Sequence, residues 1–268
     1  MKRKLNTKEV QKLLLNVMIE FDQYCREHNL RYYLIGGSLL GAVRHKGFIP
    51  WDDDMDVGML RPDYMSFLDY ASSKPLSYEL KNYRNSKLCD YVITRLYING
   101  TEIDNPIIRH TKLEKRLYFD IFPLDYIPDN VEDEKKQEKR ILKKKKLLSY
   151  VDYRDYHNGI VARLTKRLLS LLLSRFRNQI ILSLETEMMR TKESSRVCSL
   201  ASQYSYQKQN FSYKIYGDPI EYEFCGYMFL GPSDADSYLS QLYGKDYMDI
   251  PPVEKRRKGW DIYQNEMQ

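Results

Sequence analysis

An Asp-x-Asp pair within an apolar run constrains the fold of this chain more than any other feature. Asp54 and Asp56 alternate with Met55 and Val57 in a strand predicted over residues 54–60. Side chains two apart on a strand project from the same face, so both carboxylates share one face while the apolar residues point into a core. Two such carboxylates repel each other unless a cation lies between them. Oxygen ligands with no His or Cys nearby favour Mg²⁺ or Mn²⁺ over zinc.

A glycine-rich turn precedes this strand. The motif Gly36-Gly37-Ser38 joins a strand predicted over residues 31–35 to a short helix predicted over residues 39–45. Glycines let backbone N–H groups approach an anion, and the helix N-terminus adds a favourable dipole. A phosphate cradle beside metal-binding carboxylates is what phosphoryl transfer requires, because its catalysis is mostly positioning and charge neutralisation. Further positive charge for the phosphates is expected from three residues that follow the turn, Arg44, His45 and Lys46.

A third carboxylate comes from a second apolar segment. Asp120 lies between apolar neighbours in a strand predicted over residues 116–122, ahead of Pro123. A lone carboxylate in such a strand is costly to bury without a cation or another partner. Asp120 therefore fits a third metal ligand, and also the base that takes the proton from an attacking hydroxyl.

Three further acids belong to the candidate site: Asp52, Asp53 and Asp125. If the strand begins early, Asp52 shares the face of Asp54 and Asp56, whereas Asp53 does not. Each element also has a structural explanation when taken alone: Gly-Gly-Ser is a common turn, an aspartate run is usually a solvated loop, and Asp120 could pair with an arginine. Their occurrence together and in this order favours the functional interpretation.

The remaining pattern predicts a mixed α/β (α+β) fold. Helical spacing of apolar residues predicts a first helix over residues 7–29 with Thr7 as its N-cap, and Pro62 precedes another helix over residues 63–71. Alternation predicts strands over residues 77–83 and 90–99. Residues 131–190 are helical and basic in places, residues 211–230 resemble a hairpin, and Ser233 caps a last helix that reaches Tyr243.

These elements suggest three parts. Residues 1–130 form an α/β catalytic core, a mixed sheet with flanking helices, and residues 131–210 form a basic helical annex. Residues 211–268 supply strands and a helix that complete the catalytic domain. A chain of 268 residues can bury a core of this size.

Composition and charge restrict the class of partner and the cellular location expected for the protein. No apolar run approaches the length needed to cross a bilayer, and charged residues interrupt the N-terminal segment where a signal peptide would be apolar. The four cysteines are scattered without a CxxC pair, which indicates a cytoplasmic protein with neither a zinc site nor a disulfide framework. The net charge of +6 fits an anionic partner without requiring nucleic acid.

A basic amphipathic segment leaves one question open. Between residues 160 and 184, basic and polar side chains line one stripe at helical spacing, and leucines cover much of the rest. Such a helix can lie on an anionic membrane surface, which would suit an acceptor carried on a lipid. A helix packed on the protein core with a solvated basic stripe gives the same pattern.

The motifs resemble the LicD family, relatives of fukutin in the nucleotidyltransferase-fold superfamily. The segment from Leu39 to His45 and the segment Phe48-Ile49-Pro50-Trp51-Asp52-Asp53-Asp54 are similar to the family's core signature. Residues 120–125 match its downstream acidic motif, and residues 243–252 resemble its C-terminal motif. Relatives often carry a histidine soon after the prolines, where this chain has Lys258-Gly259-Trp260, so no role of that histidine is carried over.

This resemblance implies a nucleotidyltransferase-like fold and a function. The family transfers a phospho-substituent, commonly phosphocholine, from a CDP-linked donor such as CDP-choline to a sugar hydroxyl of a surface glycan precursor (lipopolysaccharide or teichoic acid), and CMP leaves. Metal held by Asp54, Asp56 and Asp120 would clamp the diphosphate, with Ser38 and neighbouring amides on the phosphates. A choline group would need an aromatic cage, for which Trp51 and Tyr118 are candidates that could equally be core residues.

Two other functions are alternatives to the phosphotransferase. The first uses the same acids, and the second does not need them. A nucleotidylyltransferase would move NMP from an NTP to a small molecule or protein and release pyrophosphate. A non-catalytic relative would serve as a glycan-binding scaffold, although the intact acids at positions 54, 56 and 120 argue against it. The acidic core alone does not separate the first two reactions, and only the resemblance favours the phosphotransferase.

Overall fold

A computed structural model describes residues 2–86, 92–105, 114–151, 172–202, 204–256 and 259–265. The helices are α1 (Thr7–Glu27), α2 (Gly36–His45), α3 (Arg61–Ser73), α4 (Val131–Val151), α5 (Arg177–Met188), α6 (Tyr213–Tyr216) and α7 (Ala235–Tyr243), with 3-10 turns at Ser174–Phe176 and Val253–Lys255. The strands are β1 (Lys2–Lys4), β2 (Tyr33–Leu34), β3 (Asp56–Leu60), β4 (Glu79–Lys81), β5 (Thr94–Tyr97), β6 (Thr101–Asp104), β7 (Tyr118–Tyr126), β8 (Arg196–Cys198), β9 (Asn210–Ser212), β10 (Ile220–Phe224), β11 (Tyr227–Gly231) and β12 (Asp261–Asn265).

A mixed sheet of seven strands forms the centre of the protein. Its main path runs β2-β3-β7-β5-β4, and β8 continues from β7 to β9. Strands β3 and β7 are parallel, whereas the other described neighbours in this sheet are antiparallel. A second sheet has the order β1-β12-β6, and β10 and β11 form a hairpin. The predicted mixed α/β class is confirmed.

Helix α1 packs across the sheet because its apolar residues recur at helical spacing. Leu14, Val17 and Phe21 are fully buried, and the Phe21 ring lies 5.3 Å from that of Phe119 on β7. The helix begins at Thr7, but its N-cap is Asn6 rather than the predicted Thr7. The Asn6 side chain accepts a hydrogen bond from the Glu9 N–H and the Glu9 side chain accepts one from the Asn6 N–H, which is a capping box.

Several predicted boundaries shift in the structure, and β7 continues through Pro123 to Tyr126 instead of ending before the proline. Strand β3 begins at Asp56 rather than at residue 54, and the glycine turn is itself the first turn of α2. The N-cap of α7 is Asp234, whose carboxylate accepts a hydrogen bond from the Ser237 N–H. Ser233, the predicted cap, instead donates its hydroxyl to the Lys214 carbonyl oxygen.

Helices α4 and α5 bury a second apolar cluster. Ile141 and Leu148 from α4 pack with Ile181, Leu184 and Met188 from α5. Much of the amphipathic segment predicted over residues 160–184 lies outside the described residues, and its described end contributes Ile181 and Leu184 to this cluster. Among the described helices, none is both long enough and apolar enough to cross a membrane.

Candidate active site

Three charged residues lie side by side on adjacent strands. Asp120 on β7 is paired with Asp56 on parallel β3 and with Arg95 on antiparallel β5. Directly opposed residues project from the same face of a sheet, and adjacent strands are about 4.8 Å apart. Val57 and Ile121, one position further along β3 and β7, are fully buried on the other face. The fold thus brings together Asp56 and Asp120, which are far apart in sequence.

Arg95 was not identified from the sequence. Its Nε donates a hydrogen bond to Asp120 Oδ1 at 2.7 Å, and the two side chains are only 11% and 14% exposed. The guanidinium carbon lies 4.0 Å from the centre of the Tyr118 ring, two residues before Asp120 and on the same face. The arginine partner that the sequence left open for Asp120 is therefore present. Alternation places Arg95 on one face of its strand, but the pairing of β5 with β7 has no local signature.

The first turn of α2 lies against the acidic segment. The Asp56 N–H donates a hydrogen bond to Ser38 Oγ at 2.8 Å, so the serine fixes the start of β3 beside the helix. Gly36 has a φ of +55°, which favours glycine. A Cβ added to Gly37 would lie 2.9 Å from Asp52 Oδ2, and one on Gly36 would lie 3.9 Å from Asp56 Oδ2. The glycines therefore allow the helix N-terminus to approach these carboxylates closely.

Two tyrosines from α7 complete this end of the site: Tyr238 is buried, and Tyr243 is 36% exposed. The Gly36 N–H donates a hydrogen bond to the Tyr238 hydroxyl at 3.2 Å, and the Tyr243 hydroxyl lies 3.7 Å from the position of a Cβ on Gly36. Burial raises the pKa of both phenols, and the negative charge of Asp56 raises it further. Both hydroxyls therefore keep their protons at neutral pH. Their proximity to the glycine turn depends on how α7 packs against α2, which sequence patterning does not reveal.

The three basic residues expected beside the phosphates lie at the other end of α2. The helix has ten residues, so Arg44, His45 and Lys46 are about 10–15 Å from the glycine turn along its axis. Arg44 Nη1 donates to the carbonyl oxygens of Tyr247 and Asp249 at 2.8 and 3.0 Å. Burial, together with the charge of Arg44, lowers the pKa of His45. The structure does not bring this basic cluster to the glycine turn.

The C-terminal segment contacts the acidic loop before β3. The backbone N–H of Trp260 donates a hydrogen bond to Asp53 Oδ2 at 2.5 Å, and Asp53 is buried. The Arg256 guanidinium carbon lies 4.2 Å from the centre of the Trp51 ring. The rings of Trp260 and Tyr118 are 6.0 Å apart. Asp53 thus anchors the C-terminal segment.

Asp125 is engaged in a buried ion pair. Arg61 donates from Nε and Nη2 to the two carboxylate oxygens of Asp125 at 2.8 and 2.7 Å, and from Nη1 to Glu185 at 3.1 Å. Asp125 lies five residues beyond Asp120 on β7, which corresponds to about 16 Å along the strand. The structure therefore separates Asp125 from the other acids and places it between the sheet and α5.

The acids fit a hard divalent cation by residue type. Asp54 and Asp56 are half-buried and flank the buried Met55, and Asp56 is paired with Asp120, so their oxygen donors are of the kind that Mg²⁺ prefers. As the side chains are placed, no three His, Cys, Asp or Glu residues of the described ranges converge into a metal-binding group. The contact between Asp120 and Arg95 accounts for the orientation of one of these carboxylates.

Comparison with known proteins identifies sequences that are similar to this chain. Residues 29–158 match the family described as LicD/FKTN/FKRP, nucleotidyltransferase domain. The chain is 28% identical over 265 residues to the lipopolysaccharide cholinephosphotransferase LicD of Haemophilus influenzae, covering 95% of this chain and 96% of that protein. It is 29% identical over 118 residues to an uncharacterized protein of Rickettsia typhi, covering 44% and 36%. A stretch of 34 residues is 59% identical to the human ribitol 5-phosphate transferase FKRP, covering 13% and 7%.

Proposed function

Because this chain belongs to the LicD family and is a LicD-type phosphotransferase, we propose that it transfers phosphocholine from CDP-choline to a sugar hydroxyl of a cell-surface glycan precursor. The observation that carries this proposal is the pairing of Asp56 with Asp120 beside the glycine turn of α2. The Haemophilus relative is named for cholinephosphate transfer to lipopolysaccharide, which supports the transferred group and the acceptor.

We assign the metal site to Asp54, Asp56 and Asp120. Mg²⁺ or Mn²⁺ bound there would neutralise charge on the donor's diphosphate and polarise the phosphorus that is attacked. Arg95 holds one oxygen of Asp120, and hydrogen bonds of this kind orient a ligating carboxylate. The same arginine offsets the repulsion between the carboxylates of Asp56 and Asp120.

The donor's phosphates are assigned to the first turn of α2. Gly36 and Gly37 present backbone to the acids without a side chain between them, and a helix N-terminus favours an anion. Ser38 accepts a hydrogen bond from the Asp56 N–H, and a hydroxyl that accepts one hydrogen bond still has its proton to donate. The Gly36 N–H binds the Tyr238 hydroxyl and the Ser38 N–H binds the Ile35 carbonyl oxygen, so we assign the phosphate oxygens to the Gly37 N–H and the Ser38 hydroxyl.

The transfer is a single in-line displacement at the phosphorus that bears choline. The acceptor hydroxyl oxygen forms a bond to this phosphorus, and the bond from phosphorus to the oxygen bridging to the cytidylyl phosphate breaks, so CMP departs with the electron pair. Asp120 takes the proton of the attacking hydroxyl. A lipid-linked acceptor would place the reaction at the cytoplasmic face of the membrane.

Release of CMP tests this function. The purified protein is incubated with CDP-choline, Mg²⁺ and glycan precursor, and CMP is measured by chromatography. We expect Asp56→Asn and Asp120→Asn to remove turnover while keeping the circular dichroism spectrum. The matched control is Asp133→Asn, an exposed acid on α4, which should keep full turnover. Full activity in both site variants would contradict the assignment, and release of pyrophosphate from an NTP without CMP release from CDP-choline would indicate a nucleotidylyltransferase.

A further inference from the structure

The C-terminal motif brings a tyrosine to the glycine turn. Helix α7 ends at Tyr243, the first residue of this motif, and the Tyr243 hydroxyl lies 3.7 Å from the position that a Cβ on Gly36 would take. One carboxylate oxygen of Asp56 lies 3.9 Å from the same position. The phenol hydroxyl and an oxygen of an assigned metal ligand therefore border one small space, which a side chain at position 36 would enter.

The two tyrosines of α7 use their hydroxyls differently. The buried Tyr238 hydroxyl accepts a hydrogen bond from the Gly36 N–H at 3.2 Å and so holds the turn in place. Within the part of the chain that the structure describes, no group forms a hydrogen bond with the Tyr243 hydroxyl. Tyr243 is also 36% exposed, so a bound ligand can reach it.

A phenol suits this position because it is a neutral hydrogen-bond donor. It is protonated at neutral pH, so it can donate to an anion without adding negative charge beside the acids, whereas ionised carboxylate and phosphate oxygens only accept. The N–H groups of Gly36 and Ser38 already have partners within the protein, and the basic residues beginning at Arg44 lie at the far end of α2. The turn itself therefore offers few donors to a diphosphate, and the Tyr243 hydroxyl supplies a further one beside it.

We propose that the Tyr243 hydroxyl donates a hydrogen bond to a nonbridging oxygen of the donor's diphosphate at the glycine turn. The proposal rests on the CDP-linked donor of the proposed function and names a specific substrate-binding residue for it. It also gives the first residue of the C-terminal motif a role in the site. Because the diphosphate is common to all CDP-linked donors, Tyr243 contributes nothing to choosing among their head groups.

Calorimetric titration of the full chain with CDP and with CDP-choline in the presence of Mg²⁺ tests this proposal. We expect Tyr243→Phe to weaken the binding of both compounds by the same factor, about 10-fold or more, which is the usual contribution of a hydrogen bond to a charged oxygen. The matched control is Tyr247→Phe, which removes a hydroxyl that donates to the exposed Asp236 at 2.8 Å. This control should change neither affinity by more than about twofold.

Two further measurements separate phosphate binding from other roles of Tyr243. Titration with Mn²⁺ alone, followed by electron paramagnetic resonance, should give the same affinity for the parent and for Tyr243→Phe. A loss of Mn²⁺ affinity as large as the loss for CDP would show that the hydroxyl orients Asp56, and it would overturn the proposal. The variant Tyr243→Leu removes the ring as well. If this variant loses CDP affinity while Tyr243→Phe keeps it, the ring stacks on the base and the proposal is wrong.

Two other outcomes would also overturn it: a loss of CDP affinity below about fivefold in Tyr243→Phe, and a loss confined to CDP-choline. Thermal unfolding of each variant confirms that it is folded before titration. Failure of the parent protein to bind either CDP compound would refute the proposed donor, and the assignment of Tyr243 with it. A parent that binds CDP no better than Tyr243→Phe does would refute the assignment alone.

Discussion

Replacing Asp125 with leucine should destabilise the fold without touching the chemistry. The carboxylate is 1% exposed and accepts two hydrogen bonds from Arg61, which is itself buried. Removing one partner of a buried ion pair typically costs about 3–5 kcal/mol, because the other charge remains buried. Glu185 still contacts Arg61 at 3.1 Å, so we expect Asp125→Leu to lie near the lower end, at about 3 kcal/mol.

Urea unfolding followed by circular dichroism measures this loss. A change of 3 kcal/mol corresponds to a decrease in Tm of about 6–12 °C for a protein of this size. The double variant Arg61→Met, Asp125→Leu should recover part of the loss, since no unpaired arginine remains buried. The exposed Asp133 provides the control, and Asp133→Asn should change stability by less than about 0.5 kcal/mol.

Turnover per folded molecule decides whether Asp125 also acts in the reaction. If the residue is structural, Asp125→Leu keeps its activity once the folded fraction is taken into account. A destabilisation below about 1 kcal/mol would refute the reasoning about the buried pair. Loss of turnover in a fully folded sample would show that Asp125 takes part in the reaction.

Two further predictions follow from local contacts. Ser38→Ala leaves the Asp56 N–H without its acceptor. We therefore expect the unfolding free energy to fall by about 1–3 kcal/mol and turnover to fall as well. Unchanged values of both would show that this hydrogen bond does not stabilise the site. Hydrogen bonds from Arg116 and Lys81 outweigh the effect of burial and lower the pKa of Glu114 to about 2. The parent should therefore have a higher Tm than Glu114→Gln, and this difference should be complete above the usual carboxyl pKa, near 4.5. It should disappear as the pH falls towards 2, because the carboxylate is then protonated in the folded protein as well. A difference in Tm that is equal at pH 7 and pH 2.5 would refute this pH dependence.

The sequence predicted the local elements of the fold and part of the candidate site. Alternation around Met55 predicted a shared face for Asp54 and Asp56, which stays a prediction because β3 begins only at Asp56. The apolar surroundings of Asp120 indicated a carboxylate that needs a partner, and Arg95 is such a partner. Both inferences use only neighbours along the chain. The structure adds the strand pairing that places Asp120 next to Asp56.

Contacts between distant segments account for what could not be predicted. Arg95 and Tyr238 reach the site through strand pairing and helix packing, and Trp260 reaches the acidic loop through a returning C-terminal segment. None of these has a periodic pattern or spacing that identifies its partner. The same limit explains the basic cluster beginning at Arg44, which is near the glycine turn in sequence but lies a full helix length away in space.

The parallel pairing of β3 with β7 has a consequence for the order of events during folding. Helix α3 and strands β4 to β6 come between these two strands along the chain, so their pairing requires closure of a long loop, which is a slow and late step. Asp56 and Asp120 become neighbours only when that step is complete. A nascent or partly folded chain therefore lacks the pair of carboxylates, and the proposed binding of a divalent cation would appear together with the finished sheet.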